Sequence, residues 1–180
     1  MTIGERPRHD GPIVLVDYDD AWPLRFEREG KRIRAALGVR ALLVEHAGST
    51  AVPGLAAKPI IDVVLAVPDS SHEDAYVPAL EAEGYALRIR EPEWYEHRVL
   101  KKTEPKVNLH VFPAGCEEID RMLAFRDHLR TNEADRKLYA RTKRELAAQE
   151  WKYVQNYADA KTAVVEVILK RATSTRDPTA

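Results

Sequence analysis

Cysteine is nearly absent from this chain: Cys116 is the only one in 180 residues. An intramolecular disulfide is therefore excluded, which fits a reducing compartment. No run of 18 apolar residues occurs, and no short apolar stretch carries the flanks of a secretory signal. The expected location is cytoplasmic, with no membrane partner. Net charge is missing too, since 28 Lys and Arg face 29 Asp and Glu. Nothing pulls the whole chain toward nucleic acid, although local basic patches fit the same balance. Internal repeats and low-complexity segments are absent. Neither common phosphate fingerprint, GxxxxGK[ST] or GxGxxG, occurs. The oligomeric state is left open.

What is present is ordinary for one globular domain: 44% hydrophobic and 32% charged residues, with enough length for a sizeable core. The domain is expected over 13–171, between a flexible stretch at 1–12 and a flexible tail at 172–180. The most informative run is EHAGSTAVPGLAAKPIIDVVLAV, from Glu45 to Val67. A short apolar strand at 41–44 leads to Gly48, Ser49 and Thr50. A loop bearing Lys58 then enters a strand at 60–67 that reads as buried. Asp62 lies in that strand, and a carboxylate among Ile and Val is costly unless something pairs with it. Gly48 permits close backbone approach, and Ser49 and Thr50 offer hydroxyls and N–H groups for an anion. Lys58 could meet a phosphate, and Asp62 could hold Mg²⁺. A plain turn and a satisfied structural carboxylate remain the alternative.

Elsewhere the patterns predict an opening helix, capped by Asp19 and Asp20 and started by Pro23. It aligns Trp22, Phe26, Ile33 and Leu37 and stops at Gly38. A second helix ends near Glu83. Strands at 85–90, 97–101 and 106–112 gather Arg88, Arg90, His97, Arg98, Lys101 and Lys102, either as a phosphate-binding rim or as a charged sheet edge. His97 and Arg98 point to opposite strand faces, so only one can share a site with His110. From Glu117 onward the chain reads as helical, with Arg126 and Arg130 one turn apart. Asn132 or Thr131 caps the next helix, on which Lys137, Lys143 and Arg144 read as a solvated face. A single last helix is expected over 153–171, with Tyr157 and Lys161 one turn apart and able to contact a base or phosphate. The fold class is α+β: a mixed sheet of about five strands with N-terminal helices and a C-terminal helical layer.

The run GSTAVPGLAAKPIID resembles the GrpB family and, through it, the nucleotidyltransferase superfold of the DNA polymerase β type. WPLRFE, HRVLKK, NLHVF, LAFRDHLR and the pair Tyr157 and Lys161 are also similar to GrpB. The resemblance implies a Gly-Ser pair followed by a strand bearing the first metal carboxylate, at Asp62. It departs from the superfold at Val64, where a second carboxylate would fall. The strand at 106–112 offers Asn108 and His110 in place of a third. Two-metal transfer needs several carboxylates around ions about 3.5–4 Å apart, and His110 suits Zn²⁺ or Mn²⁺ better than Mg²⁺.

Two readings follow. In one, a nucleotidyltransferase or derived enzyme acts on a nucleotide or other phosphate-bearing small molecule. Asp62 and His110 are then catalytic, and Asp62 binds Mg²⁺ or another divalent metal. Gly48, Ser49, Thr50, Lys58, Arg98, Arg126, Tyr157 and Lys161 hold the ligand. In the other, the same pocket is a non-catalytic module that binds a nucleotide or cofactor precursor. No HxxxH or HExxH spacing marks a local zinc site. His46, Asp62 and His110 could instead converge from separate strands and act in proton transfer.

Overall fold

Five strands join edge to edge in one mixed sheet, in the order β1-β2-β5-β4-β3. They are β1 (Leu43–Ala47), β2 (Ile61–Val67), β3 (Ala86–Glu91), β4 (His97–Lys102) and β5 (Val107–Pro113). Helix α1 (Ala21–Leu37) precedes the sheet, and α2 (Val77–Ala82) lies between β2 and β3. The chain closes with α3 (Glu117–Thr131), α4 (Glu133–Ala147), α5 (Val154–Ala160) and α6 (Thr162–Ser174). The structure, a computed structural model, describes residues 1–3, 13–151 and 153–174. The expected flexible segments lie mostly outside the described residues; residues 172–174, assigned to the tail, continue α6, and Thr2 bridges to Ile89 on the β3 edge.

The sequence of β2, IDVVLAV, explains its central place. A strand buried on both faces needs a nearly continuous apolar run, and six of the seven residues are buried. It pairs antiparallel with β1 and parallel with β5, and β4 and β3 extend the sheet antiparallel. Because side chains alternate, one face presents Val44, Val63, Leu65, Leu100, Leu109 and Val111. These pack with Trp22, Ile33 and Leu37 of α1 and with Leu80 of α2. Each such aliphatic side chain contributes about 1.5–3 kcal/mol when fully buried. The opposite face presents Ala47, Val64, Ala66 and Phe112 to Cys116, Ile119 and their α3 neighbours. The fold class is the expected α+β arrangement.

Local signals account for most boundaries. Asp19 Oδ1 accepts from the Ala21 N–H at 2.8 Å, and Gly38 ends α1 in the left-handed region at φ +56°. Asn132 caps α4 by accepting from Asp135 N–H at 2.9 Å. Two expectations are corrected. The last helix is two helices, α5 and α6, parted at Lys161. Lys143 is not on a solvated face: it is 2% exposed, on a buried stripe with Asp135, Tyr139 and Ala147 at four-residue spacing.

Candidate functional site

The second face of the sheet is not covered along its whole length. At the Asp62 end, a cavity of about 360 Å³ opens between β2, β5 and β4 on one side and α4, α5 and the α5–α6 junction on the other. The loop after β1 forms its rim. Apolar packing of Val52 and Leu55 against Leu129, Tyr139 and Ile168 holds that loop to the helical layer.

Asp62 and Asn108 are direct partners across the parallel β2–β5 pair. Asn108 Nδ2 donates to Asp62 Oδ1 at 2.8 Å. His110, the next residue of β5 on this face, brings Nε2 to 3.8 Å from the same oxygen. Burial pushes the Asp62 carboxyl up, but the His110 imidazole, the Asn108 amide and the Lys58 ammonium outweigh it. The net shift is below the usual carboxylate range, so Asp62 is an anion at neutral pH. Its side chain keeps 29% exposure, all that the cavity needs to reach it.

Facing this carboxylate are four lysines: Lys58, Lys101, Lys143 and Lys161. Among the described residues none of the four has a carboxylate within ion-pair distance. Lys143 Nζ donates to Ser49 Oγ at 3.0 Å and to the Ala56 carbonyl. Burial, helped by Lys161 and Arg144, lowers its pKa to about 7. Burial and Lys58 lower Lys161 to about 8, while Asp62 works the other way. The Lys161 and Lys58 amines stand 4.7 and 5.5 Å from the centre of the Tyr157 ring, a placement that favours cations. The Tyr157 hydroxyl is buried without a hydrogen-bond partner among the described residues. Excess positive charge in a concave, partly dry site attracts a multiply charged anion.

Of the residues expected at a site, Gly48, Ser49, Thr50, Lys58, Asp62, His110, Tyr157 and Lys161 all line this one cavity. Arg98 and Arg126 do not. Arg98 lies on the far face of β4, where Nε donates to Glu73 at 2.6 Å and Nη2 to Glu96 at 3.2 Å. Arg126 Nη1 donates to Glu45 and to the His46 carbonyl, each at 2.8 Å. The basic cluster of the strands likewise divides. Arg90 pairs with Glu73 and Lys102 with Glu29, so only Lys101 reaches the rim.

The histidines divide too. His46 faces α1, stacks on Phe26 at 4.7 Å and shares a hydrogen bond with Thr50 Oγ1 at 3.0 Å. It does not converge with Asp62 and His110. His97 is the member of the His97–Arg98 pair that meets His110: His97 Nε2 lies 3.1 Å from His110 Nδ1, and His97 Nδ1 lies 2.7 Å from Glu91 Oε2. Sequence reasoning weighed His97 against Arg98 and put Arg98 at the site, and it missed Lys143. The signal for Lys143 was its four-residue spacing from Tyr139 and Ala147.

Comparison with known proteins follows this geometry. Residues 12–171 match the GrpB protein family. A UPF0157 protein of Halalkalibacterium halodurans is 59% identical over 175 residues, 97% of this chain and 90% of the relative. A dephospho-CoA kinase of Mycolicibacterium paratuberculosis is 43% identical over 77 residues, 41% of this chain and 19% of the kinase. The crystal structure of GrpB from Enterococcus faecalis is similar at TM-score 0.79 and 33% identity, covering 90% of this chain and 98% of that one. With the family matched across most of its length, the chain belongs to the GrpB protein family.

Proposed function

We propose that the cavity binds a phosphate-bearing small molecule, a nucleotide or a nucleotide-like cofactor, and that Asp62 and His110 act on it in a transferase of nucleotidyltransferase type. The observation that carries this reading is the opposition of Lys58, Lys143 and Lys161, none paired with a carboxylate among the described residues, to Asp62 within one cavity. Lysine is a point-charge partner for phosphate oxygens. Ser49, already hydrogen-bonded to Lys143, adds a hydroxyl beside them.

The residues around Asp62 do not fit a pair of Mg²⁺ ions. Val64, in the position of a second carboxylate, packs in the apolar cluster with Ala47 and Phe112. Asn108 brings an amide, and among the described residues no group of three or more His, Cys, Asp and Glu is arranged to hold a metal. Charge neutralisation in this reading therefore falls to the lysines.

A thermal-shift series tests it, with ATP, GTP, UTP, CTP, CoA and dephospho-CoA, each with and without Mg²⁺ or Mn²⁺. A ligand that binds the folded state raises Tm by mass action. A shift by one of these that is lost in Lys143→Met and Lys161→Met is the expected result. No shift with any of them overturns the reading. Release of pyrophosphate or phosphate, absent in Asp62→Asn, separates the transferase from a binding module.

A further inference from the structure

We propose that Lys161 is the nucleophile of the cavity: its amine attacks phosphorus and carries the transferred group as a phosphoramidate until an acceptor takes it. This rests on the reading that the cavity holds a phosphate-bearing ligand, and adds to it the residue that bonds to that ligand.

The surroundings of the four cavity lysines single out Lys161. Lys143 is tied down, with its Nζ donating to Ser49 Oγ and to the Ala56 carbonyl. Lys101 stands exposed at the rim. Lys58 and Lys161 are half-buried beside the one Tyr157 ring. Among the described residues neither Nζ has a hydrogen-bond acceptor or a carboxylate partner. Two ammonium groups in such a site repel one another, and burial penalises both, so one gives up its proton first. Asp62 decides which. For Lys58 the strongest nearby charge is the Asp62 carboxylate, which works against burial. For Lys161 the strongest is Lys58, which works with burial and brings its pKa to about 8. Lys58 is thus the retained cation and Lys161 the released amine. A desolvated amine next to a second cationic group is an activated nucleophile.

A nucleophile on the protein also fits the acids that are missing. Val64 packs among apolar side chains, and Asn108 lies beside Asp62 where an acid could have stood. Among the described residues no set of acids is arranged to hold the ions that would activate an acceptor hydroxyl. In the first step the Lys161 Nζ lone pair bonds to phosphorus. The bond to the leaving phosphate breaks, that phosphate keeps the electron pair, and one Nζ proton is lost to solvent. In the second step the oxygen of water or an alcohol bonds to phosphorus. The phosphorus–nitrogen bond breaks, its electron pair returns to Nζ, and the hydroxyl proton restores the amine. Lys58, as the retained cation, meets the phosphate oxygens in both steps.

The test is intact-mass spectrometry of the full chain at pH 8 with each compound of the thermal-shift series, no alcohol being added. A compound that raises Tm is expected to leave one adduct, its own mass less the leaving phosphate, located at Lys161 by peptide mapping. Brief acid should remove the adduct and hydroxylamine should not, which separates it from an ester on Ser49 and an acyl phosphate on Asp62. Lys161→Arg keeps a cation at the Tyr157 ring but has no amine to release, so the Tm shift should remain and the adduct vanish. A compound that raises Tm and forms no adduct, or an adduct that survives in Lys161→Arg, overturns the proposal and leaves the binding site. Competitive acetylation of the wild-type chain with acetic anhydride needs neither ligand nor variant. Lys161 should gain reactivity with a midpoint near pH 8, and a midpoint at the ordinary 10.5 overturns the proposal. No Tm shift with any compound overturns the phosphate reading, and the phosphorus assigned to Lys161 falls with it.

Discussion

Gly48 lies directly against Asp62. A Cβ at position 48 would stand 2.5 Å from Asp62 Oδ2 and 3.1 Å from its Cβ. Gly48 also holds φ at +67°, where an L side chain is strained. The glycine of the Gly-Ser pair is therefore required by the carboxylate that follows it 14 residues later in the sequence. Gly48→Ala is expected to destabilise the fold by about 1–3 kcal/mol through overpacking, read as a lower denaturant midpoint. The same variant should displace Asp62 and weaken any cavity ligand.

Lys143 makes two pH effects of opposite sign. Its folded pKa of about 7 lies below its ordinary 10.5. Between these values the unfolded chain binds a proton that the folded chain lacks, so stability rises with pH across that window. The contribution is complete above the unfolded value and is lost as pH falls toward 7. Anion binding runs the other way, because the cavity loses charge as Lys143 and then Lys161 titrate. Wild-type affinity for inorganic triphosphate should fall as pH rises through 7 and 8, and Lys143→Met should flatten both profiles. Calorimetry over that range checks each sign.

Arg98 offers the matching control. It is buried on the far face of β4 and holds Glu73 and Glu96. Arg98→Ala leaves those partners short of a donor and should cost about 1–3 kcal/mol of stability. Nucleotide-induced thermal shifts should keep their size in this variant. A selective loss of those shifts would return Arg98 to the ligand site.

Tyr157 carries a buried hydroxyl with no partner among the described residues. Leaving a hydroxyl unpaired in such surroundings costs about 1–3 kcal/mol in proteins. Tyr157→Phe should therefore be as stable as the wild type or more so in the absence of ligand. If a ligand supplies the missing partner, the variant binds it more weakly despite its stability. Melting temperatures with and without ATP distinguish the two effects.

Much of this was legible before any coordinates. A run as apolar as that of β2 has few alternatives to a central strand, and the one carboxylate within it lines the cavity. Residues on the Gly-Ser loop and β2 are close in sequence, so local chemistry was enough to group them. Arg98 and His97 show where such reading stops. Alternation separates their faces, but only the pairing of β4 with β5 decides which face carries His110. Lys143 was hidden for another reason: a lysine on a charged helix is usually solvated, and here packing of the helical layer overrides composition. The break at Lys161 has no Gly or Pro to announce it.

Asp62 is anchored in the sheet, whereas Lys143 and Lys161 are anchored in the helical layer that packs over it. A molecule gripped by all three is a removable staple between the two layers. Its loss leaves several like charges facing one another across a gap, with Asp62 alone to offset them. Access of a protease to α4–α6 then becomes a gauge of occupancy, one that works even for a ligand whose chemistry has not been identified.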